Sequence, residues 1–295
     1  MKASAKGYVS ALLSGALFGV IPILILNISR NGSVSNSFCI MARSFIAGVA
    51  LLPVAFSRIK KHPLAKKELW NIVFSALAMA STSILLFTSY QYIPSGVGVT
   101  LHYTYPMVVL VLSAIIFHAH IGKKTVMAML VSLVGIVLLC DASAMEGNAL
   151  VGVLLALCSS LTFATYLLWN ERRGLAMLDS IVFVSFMSLF DTGYLFMYNL
   201  VSDHLTIKAS AEVTLILLLV GFTGMGAILT QILAIKYVGS VHTSILGTLE
   251  PIVCTIGSAL VLHDAINFRT ILGGILVLAA VIIITLKRVA APIRG

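Results

Sequence analysis

The stretch Leu101-His102-Tyr103-Thr104-Tyr105-Pro106 has a counterpart, Leu246-Gly247-Thr248-Leu249-Glu250-Pro251, lying 145 residues further along the chain. The same offset pairs Gly7 with Gly152, Ser14 with Ser159, Phe18 with Phe163, Phe38 with Phe183, Tyr92 with Tyr237 and His118 with His263. The register runs without a gap, so the chain reads as two copies of one unit, 1–145 and 146–295. A duplication on this scale narrows the architecture more than any local motif does.

Each copy is a series of apolar runs. Only 10% of the residues are charged and 60% are hydrophobic, against about 25% charged in a soluble domain. Runs of about twenty residues match a hydrocarbon core of about 30 Å. Ten spans are predicted, at roughly 7–28, 34–56, 69–90, 97–117, 125–140, 150–169, 180–201, 213–235, 241–262 and 270–286. The expected fold is an all-α integral membrane protein of ten transmembrane helices. A transmembrane β-barrel would show shorter segments of alternating polarity, and the loops leave no room for a soluble domain.

The net charge of +9 does not point to nucleic acid, because the basic residues sit between the apolar runs, where they set topology. With a cytoplasmic N-terminus, 15 of the 19 Lys and Arg fall on the cytoplasmic side. Arg30, Lys208 and Arg269 fall outside, and Arg43 lies within a span. Both termini are therefore expected in the cytoplasm of a cell whose cytoplasmic (inner) membrane holds the chain. Five spans per copy is an odd number, so the second copy must cross the bilayer upside down. Inverted repeats of this kind are characteristic of secondary transporters.

Polar groups inside spans are the candidates for function. Glu250 is about nine residues into the ninth span, roughly 13 Å deep at about 1.5 Å per residue. Arg43 is similarly deep in the second span, and Asp191 is mid-span in the seventh, where bracing of neighbouring helices is the competing reading. Such a group costs about 2.5–3.5 kcal/mol to insert, which makes it a functional candidate by default. Thr243, Gly247 and Cys254 share a helical face with Glu250. His102 and Tyr105 lie too deep for an interfacial belt. Phe18 and Phe163 are related by the repeat, Tyr166 follows Phe163, and Gln231 is set in an apolar span. Pro106 and Pro251 remove backbone donors and are expected to leave kinks or exposed carbonyls. The glycines at 221, 224, 226, 273 and 274 are expected to allow close helix packing.

Other chemistry is not indicated. Cys39, Cys140, Cys158 and Cys254 have no CxxC spacing, and no carboxylate, His or Cys set has metal-ligand spacing, so neither a metal nor a cofactor is expected. Gly122-Lys123 lacks the upstream glycine of a phosphate-binding loop, and there is no nucleophile elbow or zinc-protease motif. An enzyme is not expected.

With Tyr103-Thr104-Tyr105-Pro106, its twin Leu249-Glu250-Pro251, and Arg43 inside the second span, the chain resembles the drug/metabolite transporter superfamily, and within it the EamA-type ten-span carriers. The resemblance implies a basket of ten helices whose first, third, fourth, sixth, eighth and ninth members line a central cavity. Carried onto this chain, it offers Phe18, Phe87, His102, Tyr105, Phe163, Tyr166, Gln231 and Glu250 as substrate-binding candidates. The activity it implies is movement of small metabolites, commonly export of amino acids. The implied partners are a small-molecule substrate, coupled protons and the lipid bilayer. The family's glutamate after the fourth span is replaced here by His118-Ala119-His120, and the one after the ninth by His263-Asp264. Tryptophan is confined to Trp70 and Trp169, which argues against a dedicated aromatic carrier. The leading expectation is an exporter of amino acids or related zwitterions, with Arg43 holding or balancing a carboxylate. The alternative is a carrier of organic cations or lipophilic amines with Glu250 as the cation or proton site.

Overall fold

A computed structural model describes residues 2–29, 34–61, 63–93, 95–117, 122–139, 149–202, 210–261 and 268–285. The residues at 118–120 and 263–264, where the sequence departs from the family pattern, lie outside this set. The described residues form α1 (Lys2–Ser29), α2 (Asn36–Lys61), α3 (Lys66–Ser89), α4 (Ser95–His102), α5 (Tyr105–Phe117), α6 (Lys123–Leu139), α7 (Ala149–Arg172), α8 (Ser180–Val201), α9 (Ala211–Gly247), α10 (Leu249–Val261) and α11 (Phe268–Thr285), with one 3-10 turn after α7. Six of these helices are long and apolar enough to cross a membrane by themselves. The outward faces carry large apolar side chains such as Leu13, Phe45, Phe74, Ile115, Leu154 and Phe222, as a surface against lipid requires.

The fourth and ninth spans differ from the continuous helices predicted. The fourth is α4 followed by α5, broken at Tyr103-Thr104. The ninth is the tail of α9 followed by α10, broken at Thr248. Each helix restarts so that Pro106 or Pro251 falls in its first turn, where a missing N–H costs nothing. The prolines thus follow a break instead of kinking a continuous helix. Each break is closed by a threonine: the Thr104 hydroxyl donates to the Leu101 carbonyl at 2.7 Å, and the Thr248 hydroxyl to Ile245 at 2.6 Å. Backbone freed at membrane depth must find such partners.

α9 is two helices joined at Gly239, whose φ of 78° is outside the helical region and suits a residue without a side chain. Ser14 of α1 donates to the Ala227 carbonyl at 2.9 Å, while Gly7 packs on Tyr237 and Val238, so α1 runs antiparallel to the first part of α9. Beyond Gly239 the order reverses. Gly15 meets Gly247, Gly19 meets Glu250 and Val253, and Gly257 meets Ile23, so the chain then runs parallel to α1. The Glu171 carboxylate closes this turn by accepting from the Ser240 N–H at 2.8 Å and from its hydroxyl.

The same contacts recur with the halves exchanged. Gly7 rests on Tyr237 and Val238, and its mate Gly152 rests on the mates of those residues, Tyr92 and Ile93. α1 packs on α9 and α10, while α7 packs on α3, α4 and α5. α2 packs on its own mate α8, and α6 on its mate α11. Because the end of α7 meets the turn at Gly239, beside the start of α1, α7 runs opposite to its mate α1. The two halves are inverted.

The glycine expectation divides. A Cβ on Gly221 would lie 2.4 Å from Ile46, and one on Gly224 2.5 Å from Arg43 Cγ, so α2 and α9 do approach closely there. A Cβ on Gly274 would meet nothing within 4 Å among the described residues, and tight packing against them does not explain it.

Candidate functional site

A cavity lies where the two broken spans meet the first helix of each half. Its lining is Ala11, Ser14, Gly15 and Phe18 from α1, Tyr105 from α5, Phe163 and Leu167 from α7, Gln231, Thr243, Ser244 and Gly247 from α9, and Glu250 from α10. Its volume is about 10 Å³, on the order of one water molecule. The chain is closed around its centre. A larger crevice of about 570 Å³ opens between Val20, Ile23, Leu24, Ile216, Val253 and Ile256. Its lining is almost wholly apolar, with Asn27 its one polar side chain, so it offers little to orient a polar solute, and the small cavity is the candidate site.

The repeat is visible in the lining. Phe18 and Phe163 are mates, and so are Tyr105 and Glu250; all four face the same space. Restarting α5 and α10 just before their prolines turns Tyr105 and Glu250 inward in the first helical turn. Tyr105 is edge-on to Phe163, with centroids 4.7 Å apart, and its hydroxyl donates to the Ser244 carbonyl at 3.3 Å. The Glu250 carboxyl meets the hydroxyl of Tyr103. A Cβ on Gly247 would come within 2.7 Å of the Tyr105 hydroxyl, so the missing side chain there keeps the cavity open.

Other predicted site residues stand just behind this lining or away from it. His102 packs at 5.5 Å from both Tyr105 and Phe163, and its Nδ1 is 3.0 Å from the Ser159 hydroxyl, so it buttresses the cavity without facing it. Tyr166 is stacked on Phe163 at 5.8 Å and is fully buried. Phe87, expected from the third span, instead packs edge-on to Tyr90 at 5.5 Å; no residue of α3 lines the cavity. Cys254 does not continue the face of Thr243 and Gly247, because the break at Thr248 intervenes; it lies near Tyr103 and Tyr90.

Arg43 is buried, its stem laid across Gly224. It is not part of the lining, and its Nε and Nη2 meet no acceptor among the described residues. Asp191, Tyr166 and Glu250 are the ionisable groups nearest it. Among the described residues no group of His, Cys, Asp and Glu could hold a metal ion.

Ser14, Gly15, Leu167 and Ser244 belong to the lining but were not singled out from the sequence as site residues. Ser14 was flagged only as a repeated position, and that signal, followed further, would have found it. Glu171 gave no signal: its mate is Leu26, so its role at the turn is peculiar to the second half.

The comparisons agree with this architecture. The model of the EamA-like transporter family matches residues 5–140 and again 150–286. A solved crystal structure superposes with a TM-score of 0.77 over 97% of this chain and 96% of that one, at 17% identity, which speaks for the fold alone. No curated protein matches the sequence. With both halves matched by one family model, the chain belongs to the EamA-like transporter family, as a multi-pass membrane transporter and not an enzyme.

Proposed function

We propose that the protein moves small zwitterionic metabolites of the amino-acid type by alternating access, most naturally as an exporter. The observation that carries this reading is the placement of Glu250 and Tyr105, repeat mates, on one cavity with Phe18, Phe163 and Gln231. Glu250 supplies a negative charge for an ammonium group, the Gln231 amide supplies a donor for a carboxylate, and the two phenylalanines limit width. Two inverted halves of one packing problem can exchange conformations, which opens the cavity first to one side and then to the other. Arg43 acts in this reading by balancing charge from behind the cavity, since it does not line it.

A second reading follows from the same carboxylate seen together with its aromatic wall. Tyr103, Tyr105 and Phe163 beside Glu250 also suit an organic cation, whose charge a ring face attracts by about 0.5–2 kcal/mol. Counterflow in proteoliposomes separates the two. Labelled amino acids should accumulate against an unlabelled pool, and accumulation should vanish in Glu250→Gln. Accumulation of quaternary ammonium compounds in place of zwitterions selects the second reading. Wild-type rates in Glu250→Gln would overturn the role given to that residue in both.

A further inference from the structure

Asp191 takes no part in the cavity, yet it is 1% exposed at mid-span in α8. Its Oδ2 accepts from the Ser44 hydroxyl of α2 at 2.6 Å, while Oδ1 has no partner among the described residues. Arg43, the residue before Ser44, is a charged group that acts on it. The two do not close into a bridge: among the described residues the ion pair is Arg58 with Asp179, at the membrane edge. Guanidinium N–H groups and a carboxylate oxygen are thus both left unbonded among the described residues. A structural brace is stable when its bonds are made, and a half-made buried pair is the costlier arrangement.

The surroundings narrow the explanation. α2, α3 and α9 pack against α8. From α2 come Arg43 and Ser44; α9 presents Gly224 beside Arg43, and its charged residues Glu212 and Lys236 lie near the ends of its first part. α3 carries its charges at Lys66, Lys67 and Glu68, in its first turn. From α7, Tyr166 is the titratable group that acts on both Arg43 and Asp191, and the hydroxyl of Ser188, one turn before Asp191, has no partner among the described residues. A permanent cation therefore acts on an acid that has one oxygen unbonded among the described residues. The acid lies on the α2–α8 contact, where repeat mates from the two halves meet and where Ser188 is the mate of Arg43.

We propose that Asp191 is the coupling-proton site of this carrier, with Arg43 as its fixed counter-charge, separate from the Glu250 cavity. A proton bonds to Oδ1 and turns the carboxylate into a neutral carboxyl, and no electrons are transferred. Its gain leaves Arg43 unbalanced, and its loss restores the balance. Because the pair spans the junction of the halves, each state favours a different fit of α2 on α8. The inference rests on the carrier reading but not on the choice of substrate.

Infrared difference spectra of the purified full chain, recorded across pH, test it without any substrate. A protonated-carboxyl band should titrate in the wild type, persist in Glu250→Gln and vanish when Asp191→Asn is added. A band untouched by Asp191→Asn overturns the proposal. Should that variant not fold, Ser44→Ala keeps the acid and removes its bond; it should move the midpoint, and an unmoved midpoint counts against the site. In proteoliposomes holding a pH-sensitive dye, Asp191→Asn should retain counterflow but lose at least tenfold in substrate-driven proton movement. Undiminished proton movement overturns the coupling role. Absence of counterflow in the wild type would reject the tested substrates and leave the spectroscopic result standing.

Discussion

The fourth and ninth spans began as the same helix and solve the same problem differently. Both break just before a proline, and both close the break with a threonine hydroxyl on a carbonyl three residues back. In the fourth span the break is packed with rings: His102, Tyr103 and Tyr105 lie within 6.0 Å of one another by centroid. In the ninth the equivalents are Gly247, Thr248 and Glu250. One break is filled and the other hollow, and the cavity forms on the hollow side with its only carboxylate there. Inverted symmetry shapes the scaffold, but a substrate that is not symmetric needs a site that is not symmetric either.

That contrast can be broken most directly at Glu250. Glu250→Gln should lower counterflow at least tenfold, equivalent to about 1.4 kcal/mol or more, with an unchanged elution profile. If Tyr105→Phe, at the mate position, costs as much, the asymmetry drawn here is wrong.

Next in size is Gly19→Ala. A Cβ there would lie 2.6 Å from the Glu250 carbonyl oxygen and 2.8 Å from Val253 Cβ, and backbone cannot step aside. Overpacking of this kind costs about 1–3 kcal/mol and should lower the thermal midpoint in detergent. The mate is already an alanine, Ala164, and fully buried. An unchanged midpoint in Gly19→Ala would mean that the two seams are equally roomy.

A third comparison sets Gly247→Ala against His102→Ala. The first places a methyl group against the Tyr105 hydroxyl in a cavity of about 10 Å³ and should slow transport several-fold without unfolding the chain. The second removes a ring that backs Tyr105 and Phe163, and should widen the range of substrates accepted in competition assays. Opposite signs in the two assays sharpen the filled-versus-hollow contrast, and equal effects remove it. The smallest effect belongs to Tyr105→Phe, which loses one hydrogen bond of 3.3 Å worth about 1 kcal/mol or less, read as a slight fall in the thermal midpoint.

Much of the scaffold was legible before any coordinate. The apolar runs placed ten spans, and the structure keeps nearly all of them. Gly239-Ser240 is a turn signal in the sequence itself, and Gly239 turns the chain at φ 78°. The fourth and ninth spans read as unbroken because hydropathy is blind to backbone: Tyr103-Thr104 and Thr248 are as compatible with a helix as their neighbours. Among the site candidates, Phe18, Tyr105, Phe163, Gln231 and Glu250 meet at one cavity. His102, Tyr166, Arg43 and Phe87 share the same apolar context in the sequence and lie behind it or elsewhere. Which way a residue on a buried helix points depends on the helix's rotation, and a helix that is apolar all round carries no stripe from which to read it.

What the chain decided alone was its membrane class, its count of spans and its duplication. These follow from sums over residues, namely transfer energies and charges counted on either side, which need no knowledge of neighbours. Only the tertiary structure decided where two helices break, that Glu171 caps the turn at Ser240 from 69 residues away, and that Arg43 stays outside the cavity lining. Those outcomes are set by contacts between residues distant in sequence, in which each partner's position depends on the packing of all the others.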